Sequence, residues 1–202
     1  QLHIHTNGDE ATEVVLDVIE KMLQAHPRAD HRHTLQHCQL ADKAQLERAA
    51  GLGMCINFFS NHLYYWGDAH ATQTVGPEWA ARMNPAETAR QLGITFSLHS
   101  DAPITPLNPL FTAWCAAHRA SASGKILGEA ERLSVADALN AVTLGAAKTL
   151  KLEHLIGSIE PGKFADFAVL EEDPSAVAAE RLKDIPVWGT VLAGREFPAP
   201  QQ

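Results

Sequence analysis

Apolar residues recur at two different periods along this chain, and the switches between them lay out its elements. Ala11, Val14, Val15, Val18, Ile19, Met22 and Leu23 follow the three-and-four spacing of one amphipathic helix face. Asp9 is placed to cap that helix, and Pro27 ends it. Short apolar runs flank it and recur further on: LHIHT at the start, Thr34 to Cys38, MCINFFS at 54–60 and ITFSLHSDA at 94–102. Each is short enough for a strand and each runs into turn-forming residues. A helix from about Asp42 to Ala50, stopped at Gly51 and Gly53, separates the second run from the third. Asn84, Pro85 and Glu87 supply the cap, first-turn proline and acid that open another helix before the fourth.

Four strand-then-helix units in succession predict an α/β fold, with a parallel sheet and helices outside it. The stretch NHLYYWGDAHATQTVGPEW, 61–79, is too aromatic for a passive linker and too irregular for an element, so it is expected to form a long functional loop. Ser134 and Asp137 form a capping box for one helix running to Leu150. Beyond it GSIEPGKFADFAVL and VWGTVLAGREF alternate, with Gly and Pro punctuation, and predict β-structure outside the main layer. The division expected is 1–153 and 154–202.

The overall balance narrows the partners. A net charge of −8 with no clustered Lys or Arg argues against nucleic acid. No run reaches the roughly 20 apolar residues of a membrane span, so a soluble chain is expected. Cys38, Cys55 and Cys115 are odd in number and lie in apolar stretches without a C-x-x-C pair, which predicts buried free thiols and a reducing, cytoplasmic setting. The chain opens with Gln inside a strand rather than with Met, which leaves a preceding leader open.

Candidate chemistry concentrates at strand ends. His5, His37 and Asp101 each close an apolar run and open onto a turn, and in parallel α/β folds the strand ends gather catalytic groups into one site. Alternation puts His3 on the same face as His5, one layer lower, where a structural role is expected. His33, near the start of its strand, is read as structural too. His99 lies two residues before Asp101, and its role stays open between lining a pocket and hydrogen-bonding a ligand. His62, Tyr65 and Trp66 from the aromatic stretch, together with Arg119, complete the candidate substrate-binding set.

Four motifs, H-T-N-G-D at 5–9, R-H-T-L-Q-H at 32–37, H-S-D-A-P at 99–103 and G-S-I-E-P-G-K-F-A-D at 157–166, resemble the amidohydrolase superfamily. The likeness is to the branch that includes N-substituted formamide deformylase. It implies that the four strands correspond to the fifth to eighth strands of a (β/α)₈ TIM barrel, with the tail belonging to a small β-sandwich. His5 and His37 resemble metal ligands, with Zn²⁺ the expected ion, one or two in the complete enzyme. Asp101 resembles the aspartate that touches metal and carries a proton. The implied reaction is hydrolysis of a non-peptide C–N bond, in an amide, formamide or cyclic amide, by attack of a metal-bound hydroxide. An N-terminal half, with its H-x-H pair and a bridging Lys, Glu or Cys, is absent from the pattern, so these residues alone are expected to be inactive. The missing half or a second copy, as in a homo-oligomer, would cover the exposed edges.

A competing reading is a catalytically incomplete fragment, or a non-enzymatic homologue, that folds or assembles with a partner. A histidine-rich metallophosphoesterase is a third, but it leaves the GSIEPGKFAD stretch unexplained.

Overall fold

The structure is a computed structural model that describes residues 1–200. Strands β1 (His3–Thr6), β2 (Thr34–His37), β3 (Cys55–Phe58) and β4 (Phe96–Leu98) form a parallel sheet in chain order. Helices α1 (Asp9–Ala25) and α2 (Lys43–Gly51) make the first two crossovers. The third contains α3 (Asn61–Ala69), a π-helical turn (His70–Thr74), α4 (Gly76–Arg82) and α5 (Ala86–Gln91). After β4 come α6 (Pro109–His118), α7 (Val135–Val142) and α8 (Leu144–Thr149). The tail forms an antiparallel sheet of β5 (Phe167–Leu170), β6 (Val187–Leu192) and β7 (Arg195–Pro198), and the link between β5 and β6 places Leu182 and Ile185 in the main core.

The register gives the parallel sheet two unlike faces. Ile4, Leu35, Ile56 and Phe96 are matched across the four strands and join the main core, where Leu35 and Ile56 are fully buried with Leu16 and Leu46 of the helices. The next row on the other face is His5, Gln36, Asn57 and Ser97. That row is polar on every strand. Gln36 donates from Nε2 to His3 Nδ1 at 2.8 Å, Asn57 Nδ2 donates to Gln36 Oε1 at 2.7 Å, and Ser97 Oγ donates to Asn57 Oδ1 at 2.8 Å. Ser97 Oγ also lies 3.2 Å from Thr149 Oγ1 on α8. This close approach requires Gly145, since a Cβ there would stand 2.5 Å from the Phe96 carbonyl oxygen.

Several sequence expectations are corrected. Asp9 is the first residue of α1 rather than its cap; Gly8 takes the cap position, and the Asp9 charge instead complements the positive end of the helix. Val14 and Val18, counted in the buried face of that helix, are 62% and 58% exposed. Asn84 does not cap α5; Pro85 holds that position, while Asn84 is buried and donates to the Phe59 carbonyl at 3.2 Å. The stretch 61–79 is helical, not a loop. Its Leu63 and Ala71 pack with Ala80, Met83 and Leu127 into a second small core, a set too widely spaced in sequence to show as periodicity. The single helix expected from Ser134 to Leu150 breaks at Thr143 into α7 and α8, although the Ser134 cap forms, with its Oγ accepting from the Asp137 amide at 3.0 Å. A capping box from Asp42 and Gln45, which the sequence reading did not single out, starts α2. All three cysteines are buried and unpaired, and no helix among the described residues is long and apolar enough to cross a membrane.

Candidate metal and catalytic site

Strict alternation would send His37 to the helix-covered face beside Leu35. It does not go there. His37 and Cys38 both adopt left-handed backbone, with φ of 69° and 48°, and this turn brings the His37 ring to 4.6 Å from His5 and 4.9 Å from His99. Non-glycine residues in that region cost roughly 1–3 kcal/mol and cluster where function requires them. Asp101 is a third, with φ of 52°. Its turned-back amide donates to His99 Nδ1 at 3.1 Å.

His37, His99 and Asp101 each offer a ligand atom within 4.8 Å of the others. The expected trio of His5, His37 and Asp101 therefore differs from the tightest cluster by one member. His5 is exposed and stands beside it, edge-on to His37. The donor chemistry fits a divalent cation: the Nδ1 of His37 is buried without a partner, and among the described residues no cation pairs with Asp101. Two neutral imidazoles and a carboxylate suit Zn²⁺ or a similar ion. Burial, only partly offset by the Asp101 charge, lowers the His37 pKa, so the ring is poised neutral as a ligand must be.

Phe59, which no sequence motif singles out, organises the wall above these groups. Its ring stacks on His99 at 5.1 Å, lies 5.8 Å from His37 and packs on His62 at 4.2 Å and Trp66 at 6.1 Å. His62 and Trp66 are thus brought to the site's edge through Phe59. Burial, reinforced by His70, His37 and His99, pushes His62 down to about 4, and burial with His37 pushes His99 down to about 3. His70 is a second residue outside the sequence-derived set. The π-helical turn presents its Nε2 to Gln39 Nε2 at 3.2 Å and its Nδ1 to Thr74 Oγ1 at 2.8 Å. Its place four residues after Trp66 is the one sequence signal for this. Tyr65 is 43% exposed and packs on Tyr64, Trp66 and Phe111, separated from the His37 group by the rings of Trp66 and Phe59.

Arg119 is not placed to meet a substrate. It is 1% exposed, and its guanidinium donates to the carbonyls of Leu127 at 2.6 Å, Met83 at 2.7 Å, Asn84 at 3.1 Å and Ala81 at 3.4 Å. Those carbonyls lie at the end of α4, in the link to α5 and just before Gly128, so the cation ties the second core together. His33 is buried at the opposite strand ends, where its Nδ1 accepts from the Leu2 amide at 2.9 Å, in keeping with a structural role.

A cleft of 340 Å³ opens beside Asp101 and His99, walled by Leu98, Leu107, Pro109 and Val142. A cavity of 390 Å³ lies at the other ends of the strands, but its Arg32 is paired with Asp30 and Glu153, both at 2.6 Å, so it is a strut rather than a receptor.

The model of the amidohydrolase family matches residues 1–197, and the chain belongs to that family. It is 32% identical over 199 residues to the putative amidohydrolase YtcJ of Bacillus subtilis (strain 168), covering 96% of this chain and 37% of that protein. It is 28% identical over 193 residues to the N-substituted formamide deformylase of Arthrobacter pascens, covering 96% and 35%. Among solved structures, an uncharacterized metal-dependent hydrolase from Pyrococcus horikoshii OT3 superposes with a TM-score of 0.73 at 25% identity, over 88% of this chain and 35% of that one. The chain thus spans about a third of the length of the proteins it matches.

Proposed function

We propose that the chain forms the metal-binding end of an enzyme that hydrolyses a non-peptide C–N bond in an amide, formamide or cyclic amide. The observation that carries this is the convergence of His37, Asp101 and His5 at three ends of one parallel sheet, with His37 Nδ1 left free. His5 and His37 would hold the ion, with Asp101 beside it. When bound, a divalent ion such as Zn²⁺ supplies a water that ionises near neutral pH and polarises the carbonyl. Asp101 takes one proton from that water as its oxygen joins the carbonyl carbon. It returns the proton to nitrogen as the C–N bond breaks, leaving an acid and an amine. Among the described residues Asp101 is the only charged one lining the adjoining cleft, which favours an uncharged substrate with an apolar substituent against Leu98 and Val142. His62 and Trp66 would border the same substrate, with Tyr65 further out.

Among the described residues the strands β1 and β4 each pair on one side only. In the intact protein further strands, from the rest of the polypeptide or a second copy, would complete the barrel and the ligand set, whereas these 202 residues alone would hold metal weakly and turn over nothing. The tail from 154 onward would belong to a β-sandwich. Elemental analysis of the intact protein, with assays on formamides, linear amides and cyclic amides, tests the reading. A metal-free protein inert on all three classes would end it.

A further inference from the structure

The register between β2 and β3 ends at the pair His37 and Phe58, so sheet pairing does not hold the turn that follows. That turn carries His37 in left-handed backbone, which persists only where its surroundings hold it. Asn84 supplies a connection. Its backbone amide donates to the Gln39 carbonyl at 2.9 Å, two residues past His37, and its Nδ2 donates to the Phe59 carbonyl at 3.2 Å, one residue past the last pair. Two carbonyl oxygens cannot bond to each other, but an asparagine between them offers each a donor. The Phe59 oxygen also takes the His62 amide at 3.2 Å.

The bridging residue is itself fixed from behind. Arg119 donates to the Met83 and Asn84 carbonyls at 2.7 and 3.1 Å, and Gln39 Nε2 lies 3.1 Å from Met83 Sδ. Asn84 is 1% exposed, and its φ of 49° would suit glycine better. Its Oδ1 is buried without a partner. What the side chain adds at this position is the donor to Phe59.

We propose that Asn84 is a positioning residue for the metal site, a substitute rung that holds the His37 turn at a fixed distance from the Phe59 wall. The rings of His37 and Phe59 stand 5.8 Å apart, and Phe59 stacks on His99 at 5.1 Å. Losing the Nδ2 donor uncouples turn from wall, so the His37 ring samples more directions and meets an ion less ready to bind it. Asn84 itself touches neither ion nor substrate. The metal in this assignment rests on the hydrolase reading, whereas the clamp on the turn does not. Through Met83 and Asn84 the buried Arg119 also acquires a part in the site.

The test uses the intact protein with Asn84→Gly, which keeps the left-handed backbone and the amide to Gln39 and removes only the side-chain donor. Asn84→Asp, which keeps the shape and offers no donor, should behave alike. Both should fold as the wild type does by circular dichroism, bind Zn²⁺ about 10-fold or more weakly, and alter the visible spectrum of the Co²⁺-loaded protein. In metal-free protein, hydrogen exchange followed by NMR should quicken at the Cys38 and Leu40 amides, which bond to Thr6 and Asn7, and not at Ile56, which bonds to Thr95 across the sheet. Leu182→Ala, in the main core on the link between β5 and β6, should lower thermal stability and leave Zn²⁺ affinity and these exchange rates as they are. Wild-type Zn²⁺ affinity or unchanged exchange at Cys38 and Leu40 in the Gly variant would overturn the assignment. So would an equal loss of affinity in Leu182→Ala, which would make metal binding a measure of stability alone. An intact wild type that binds no metal would instead count against the hydrolase reading, and the exchange rates would still decide whether Asn84 holds the turn.

Discussion

Gln36 and Asn57 stand opposite each other on adjacent parallel strands and are joined side chain to side chain at 2.7 Å. The bond is the middle link of a ladder from His3 to Ser97, in the sheet row that His5 also occupies. On this face of the sheet directional bonds set the spacing of the strand ends. Asn57→Leu removes two links and leaves Gln36 Oε1 unpaired, so urea unfolding should show a loss of about 1–3 kcal/mol. An unchanged midpoint would mean the ladder is incidental.

Asp101→Asn keeps the shape of the side chain but removes its charge and basicity. In the intact enzyme it should cut kcat by about 10²- to 10⁴-fold with the fold unchanged by circular dichroism. His37→Ala should lower metal content as well as rate. Wild-type kinetics in Asp101→Asn would show that another group carries the proton.

The buried His62 gives a pH signature. Its pKa is about 4 in the fold against 6.5 ordinarily, first because of burial and then because of neighbouring histidines. The unfolded chain therefore binds the proton more readily, and stability falls as pH drops below 6.5, levelling off near 4. The contribution is on the order of 3 kcal/mol. His62→Phe should keep more of its neutral-pH stability at about pH 4.5 than the wild type does, measured by denaturant titration at both pH values. Parallel losses in the two proteins would exclude His62 as the source.

Arg119→Met keeps the stem but withdraws the donor from four buried carbonyls, of which Asn84's retains the Ala86 amide. Thermal and urea unfolding should reveal a loss of about 3 kcal/mol or more. A rise in KM with stability intact would restore the substrate contact expected from the sequence.

Much of the sheet is legible in the sequence because its signals are local. Apolar runs ending in turns place β1 to β4, the spacing from Val15 to Met22 places α1, and the stretch from about Asp42 to the Gly51 and Gly53 stop places α2. The helical 61–79 is not legible, because its apolar residues are satisfied by Met83 and Leu127 rather than by one another. Nor is the break at Thr143, which follows from the approach of Gly145 to Phe96.

For the site, the sequence by itself determined the inventory: imidazoles at 5, 37 and 99 and a carboxylate at 101, each at the end of an apolar run. Tertiary structure alone decided their arrangement. The left-handed turns at His37 and Asp101 override the two-residue alternation and bring rings from three strands together. Whether a polar group meets a ligand or a carbonyl is likewise a matter of what lies across the fold. The Arg119 side chain is a free cation in the sequence, and in the structure four backbone oxygens, three from residues more than 30 positions away, have already claimed it.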